Sequence, residues 1–155
     1  MKTAEAKFSF PVLGFTPDRD IWGFQDLDAL TTCGPLTLKK DMQLGMELID
    51  SDGRRWVVRS VRRTGRKGRF PSWLLWTVLT AAPQSRIEHD LDELTPVSLA
   101  EALERACAAI EASPDIYGPE GEDEETIETR VAKVRAAKSV AGVFDLIGLD
   151  TFEAY

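Results

Sequence analysis

A chain of 155 residues with 43% hydrophobic and 29% charged side chains has the size and composition of one globular domain, and its net charge of −7 disfavours nucleic acid as a partner for the surface as a whole. Two widely separated cysteines, Cys33 and Cys107, and a single histidine, His89, argue against a disulfide framework or a zinc site. The longest apolar run, Trp73 to Ala82, is about half of what a membrane span needs, and the first ten residues show no apolar signal core, so the expectation is a cytoplasmic protein without membrane contact.

In chain order, Phe8, Phe10 and Val12 alternate with polar or turn residues and predict a first strand, with Pro11 placing it at a sheet edge or strand end. TPDRD at 16–20 is a turn, and DIWGF at 20–24 predicts a second short strand. Asp26 is placed to cap a helical turn over Leu27–Leu30, which ends before Cys33-Gly34-Pro35.

The clearest local signal is GMELIDSDGRRWVVRSV at 45–61. A three-residue Ser51-Asp52-Gly53 loop, with Gly53 left-handed, pairs Asp50 with Arg54, Leu48 with Trp56 and Met46 with Val58. Met46, Leu48, Trp56 and Val58 then form one apolar face. A one-residue slip would scramble that face, so this register is preferred. On the other face Arg55, Arg59 and Arg63 alternate with Val57 and Val61 as a basic stripe, with Glu47 close by. Arg54 to Arg69 as a whole holds eight basic side chains and no acid. Thr64 to Arg69 reads as a loop around Arg66 and Lys67.

PSWLLWTVLTAAP at 71–83 is apolar on both faces, which predicts a strand at 73–81 buried on both sides. RIEHDLDEL at 86–94 alternates, with Ile87, His89 and Leu91 on one face and Glu88, Asp90 and Asp92 on the other. Ser98 and Glu101 form a capping-box pair at the start of a helix over about 96–112. The segment 113–126 is an acidic, turn-rich linker. A second helix is expected over 123–147, with Gly142 ending or kinking it. These elements make an α+β domain spanning 1–155. Its antiparallel sheet of about five strands occupies 7–94, and two helices within 95–150 pack on one sheet face. The other face needs cover, which a curled sheet, a second layer or a homodimer through that face would supply.

Catalytic chemistry finds little to use. His89 has apolar neighbours on its own face and reads as structural. Cys107 reads as a buried helix thiol. Asp18, Asp20, Asp26 and Asp28 lack the spacing of a calcium loop and read as turn and cap residues. No catalytic residue, metal or cofactor is expected, and the chain is not expected to be an enzyme. The charged regions remain as candidate binding surfaces. The acidic one comprises Asp115, Tyr117, Glu120, Glu122, Asp123, Glu124 and Glu125, with the carboxylates of 88–93 as a second choice and Trp22 or Tyr117 as aromatic anchor. The alternative is an anion site for phosphate or nucleic acid built from Arg55, Arg59, Arg63, Arg66 and Lys67.

Phe15, Pro17, Asp18, Asp20, Ile21 and Trp22, followed by the hairpin Ile49–Trp56 with Val58 and an acidic helical C-terminal part, resemble small bacterial proteins that include immunity proteins of polymorphic toxin systems. The resemblance covers about a third of the chain and rests on strand and turn residues. It implies a non-enzymatic inhibitor that masks a cognate toxin domain, and it transfers no catalytic residue.

Overall fold

A computed structural model describes residues 1–67, 84–118 and 125–148. Within them six antiparallel strands form a curled sheet in the order β2-β1-β4-β5-β6-β3. The strands are β1 (Val12–Phe15), β2 (Ile21–Phe24), β3 (Thr32–Cys33), β4 (Glu47–Ile49), β5 (Arg55–Arg66) and β6 (Ser85–Leu94). The helices are α1 (Leu27–Leu30), α2 (Pro35–Lys39), α3 (Leu99–Ala112), α4 (Pro114–Tyr117), α5 (Ile127–Arg135) and α6 (Val140–Ile147). The expected α+β architecture is present. The expected strand at 73–81 lies outside the described residues. No helix among them is long and apolar enough to cross a membrane.

The central hairpin has the expected register. Leu48 pairs with Trp56, Val58 donates its N–H to the Met46 carbonyl, and Gly53 sits at φ +80°. Asp50, fully buried, organises this corner. It accepts hydrogen bonds from the backbone N–H groups of Ser9, Asp52 and Arg54 and from Arg54 Nε at 2.9 Å. The same carboxylate therefore closes the loop and fastens residues 7–9 onto it.

That attachment explains why the first strand begins at Val12 rather than at Phe8. Pro11 has no N–H for a ladder, and its carbonyl is taken by Ser51 Oγ at 2.9 Å. Phe8 and Phe10 fold inward instead, and the Phe8 ring lies 4.5 Å from Trp56. Together with Ala6, Val12, Phe24, Leu30, Met46, Leu48, Val58 and Leu91 they fill one sheet face. On the described strands this apolar face is thus packed by the chain's own arm.

The opposite face carries the larger core, where Leu13, Ile21 and Ile49 meet α3, α5 and α6. Ser98 caps α3 by accepting from the Glu101 N–H, and Ala102, Leu103, Ala106, Cys107, Ala109 and Ile110 form its buried stripe. Each large apolar side chain so buried contributes roughly 1.5–3 kcal/mol. Three helical features depart from the sequence reading. Residues 114–117, expected as linker, form α4. The second long helix is two helices, α5 and α6, and the break falls before Ser139, which caps α6 by accepting from the Gly142 N–H at 3.0 Å. Gly142 is therefore inside α6 as its cap-bonded third residue, and the helix stops at Gly148 in the left-handed region.

Candidate functional site

The basic stripe does not survive folding as drawn. A β-bulge between Val58 and Ser60 inserts one extra residue opposite β6 and reverses the alternation beyond it. Val61 turns inward to pack on the Trp56 core, and Arg62 takes the outer face that Arg63 was expected to hold. Arg55, Arg59 and Arg62 then meet carboxylates across the ladder: Glu47 at 3.5 Å, Asp92 at 2.6 Å and Glu88 at 2.7 Å. Lys67 and Arg86 share Asp28, whose carboxyl is held below its usual value chiefly by the hydrogen bond from Lys67. Of the five cations expected to bind an anion, Arg55, Arg59 and Lys67 are thus neutralised within the chain, while Arg63 and Arg66 have no carboxylate partner among the described residues.

The acidic surface is likewise reduced. Glu120, Glu122, Asp123 and Glu124 lie outside the described residues. Glu125 is bound by Lys133 and Arg130, and the Lys133 hydrogen bond pulls its carboxyl below the usual range. Glu88, Asp90 and Asp92 are all engaged in ion pairs. Tyr117 cannot be a surface anchor: it is 4% exposed, and its hydroxyl donates to the Ile21 carbonyl at 3.4 Å, pinning α4 to β2. Burial pushes that phenol up to about 12. Of the predicted acidic set, Asp115 alone among the described residues is exposed and free of an ion pair.

The structure brings together something else, a cavity of about 540 Å³ between β2, β3, α1, α2 and α4. A cavity of roughly 300–1,000 Å³ is the size that holds a drug-sized ligand or a large side chain. Its wall includes Trp22, Phe24, Cys33, Met42, Ile116 and Tyr117. Two polar groups on it are informative. The Thr32 hydroxyl is buried without a hydrogen-bond partner, and leaving such a group unmet costs about 1–3 kcal/mol. Asp20, half-buried, lies on the same wall and has no ion-pair partner among the described residues. Lys67 also reaches the wall, but its charge is met by Asp28. Asp20 is thus the carboxylate on this wall that has no cation of its own among the described residues.

Exposed apolar side chains occur on the segments that build this cavity, and Ile116 lines it directly. Leu27 of α1, Leu36 of α2, Leu44 just beyond Met42 and Gln43, and Ile116 of α4 are each at least 43% exposed. Four of the seven exposed large apolar side chains among the described residues thus sit on the segments that build this cavity. Sequence reading missed the cavity because it treated Cys33-Gly34-Pro35 as a stop. Gly34-Pro35 was also a start signal: Pro35 occupies the first turn of α2, where its missing N–H costs nothing.

The groups that suggested catalysis have structural occupations. His89 is 1% exposed and is bonded on both ring nitrogens, with Nδ1 at 3.1 Å from Thr3 Oγ1 and Nε2 at 2.9 Å from Gln43 Oε1. Burial lowers its pKa to about 4, so the ring is neutral: Nε2 donates to Gln43 and Nδ1 accepts from Thr3. Burial raises both thiols, Cys33 and Cys107. Asp26 caps α1 by accepting from the Ala29 N–H at 2.8 Å. No group of three or more His, Cys, Asp or Glu side chains among the described residues is arranged to hold a metal ion. No family model, curated protein or solved structure matches this chain.

Proposed function

We propose that this chain is a non-enzymatic protein-binding domain of the immunity-protein type, acting in the cytoplasm by masking a partner. In this reading the cavity bordered by Trp22 and Ile116 receives one large apolar side chain of the partner, and Asp20 and Asp115 face basic residues that flank it. The observation that carries the reading is the cavity itself, whose lining includes the exposed Ile116, Thr32 with its unmet hydroxyl and the unpaired carboxylate of Asp20. A central apolar anchor surrounded by a charged rim is the usual energetic plan of a protein interface. The unpaired Asp20 selects a basic group on the partner and orients the encounter. The engagement of His89 on both nitrogens and the raised thiols support a binding role over a chemical one.

A photo-crosslinking residue placed at position 116 in the native host tests this directly. The expected result is a single dominant protein adduct, absent when the same probe replaces Arg62 on the far side of the sheet. Equal labelling from both positions, or no protein adduct from position 116, would overturn the proposal.

A further inference from the structure

Compensation of charge along the β5–β6 ribbon is interrupted at Arg63 and Arg66, between the paired Arg62 and Lys67. Arg59 and Arg62 meet Asp92 and Glu88 across the ladder, but Arg63 stands opposite Ile87. A second bulge, between Arg63 and Gly65, then sets Arg66 opposite Ser85. Neither arginine has a carboxylate across from it. Both line a second cavity, of about 440 Å³, into which α2 contributes Lys39 and β6 contributes Ser85, with Gln84 beside it. Among the described residues this cavity holds three cations and no carboxylate. Elsewhere on the same ribbon Arg54, Arg55, Lys67 and Arg86 are all paired.

We propose that Lys39, Arg63 and Arg66 form a binding site for the phosphate group of a compact phosphorylated small molecule. Three like charges in one concavity repel one another, and a bound dianion removes that repulsion. Guanidinium groups present planar pairs of donors that match phosphate oxygens, and such charge-assisted bonds are the strong ones. Ser85 and Gln84 supply neutral donors at the rim. The ligand is compact because the field of the remaining surface is negative: the chain carries −7 overall, and Glu88 on β6 and Asp28 on α1 stand near this end of the ribbon, paired with Arg62 and Arg86. A long polyanion would have to cross that field, whereas a phosphate or diphosphate enters the pocket alone. This site adjoins the cavity at Trp22 and Ile116 across α2 and Gln84, but its three cations do not line that cavity and its role does not depend on it.

The experiment is titration of the full chain with pyrophosphate, inorganic phosphate, acetate and a short single-stranded oligonucleotide at low salt, read by calorimetry and amide chemical shifts. Saturable one-to-one binding of pyrophosphate is expected, tighter than acetate and weakened about tenfold or more in R63Q/R66Q. R59Q/R62Q, which removes cations from the same strand, is the matched control and retains binding. Three results would each overturn the proposal: no saturation by pyrophosphate below about 10 mM, equal binding by R63Q/R66Q, or an oligonucleotide that binds through these residues more tightly than pyrophosphate.

Discussion

Two buried polar residues do more to define this fold than their chemistry first suggests. His89 joins β6 to the N-terminal arm through Thr3 and to the segment after α2 through Gln43. Its folded pKa of about 4 lies below the ordinary 6.5. Between those values the unfolded chain binds a proton that the folded chain refuses, so stability is full above 6.5 and declines as pH falls toward 4. The loss is on the order of 3 kcal/mol. Urea unfolding at pH 7.5 and 4.5 should show it, and His89→Gln should flatten the profile while lowering stability at the higher pH. Asp28, whose carboxyl is held low, adds its own loss only at pH values below the ordinary carboxylate range. Asp50 makes the second prediction. Asp50→Ala strands three backbone donors and Arg54 in a corner the structure seals. It should cost about 3–5 kcal/mol, measured as a lower urea midpoint.

At the scale of elements, the hairpin loop and the helix caps are the joints. Gly53 has φ +80°, and a Cβ there would meet the Val97 carbonyl oxygen at 2.6 Å. That carbonyl belongs to the residue whose N–H bonds Gly53 O at 2.9 Å and starts the turn into α3. Gly53→Ala should therefore destabilise by about 2 kcal/mol, and Ser139→Ala by about 1 kcal/mol through the lost cap of α6. The hairpin loop and the cap of α3 were legible in the sequence because their signals are local, whereas the Ser139 cap that splits the last helical stretch was not read. A loop needing a left-handed glycine and a Ser-x-x-Glu cap are written within a few residues, and the apolar faces of the hairpin and of α3 followed from period. The bulge at Arg59 was not legible. Its cause is the pairing of β5 with β6, strands separated in sequence by the whole stretch between them, and nothing in RRWVVRSVRR marks the extra residue. One unread bulge exchanged Arg63 for Arg62 on the outer face and thereby changed which cations are free. The cavity was hidden for the same reason, since its wall is assembled from β2, β3, α2 and α4.

For the whole molecule, net charge proved a poor guide to local charge. The ribbon that looks basic in sequence is mostly an ion-paired surface, and exposed pairs of this kind contribute about 0.2–1 kcal/mol each. Arg59→Gln combined with Arg62→Gln should leave the thermal midpoint within a few degrees of the parent, and about 0.5 M salt should shift it little. Two regions escape this compensation: the cavity near Trp22, where Asp20 has no ion pair among the described residues, and the basic pocket at Arg63 and Arg66. They adjoin across α2 and Gln84 but hold different charged groups, Asp20 in one and Lys39, Arg63 and Arg66 in the other, so the molecule presents two surfaces suited to different ligands.

The central claim is that recognition runs through the mouth bordered by Trp22 and Ile116. Its most direct test is the affinity of the partner recovered by crosslinking for Ile116→Asp, measured beside Arg59→Gln/Arg62→Gln by calorimetry. A loss of about 100-fold in the first variant with no change in the second is predicted. Parent-like affinity in Ile116→Asp, with the loss appearing in the ribbon variant, would contradict it.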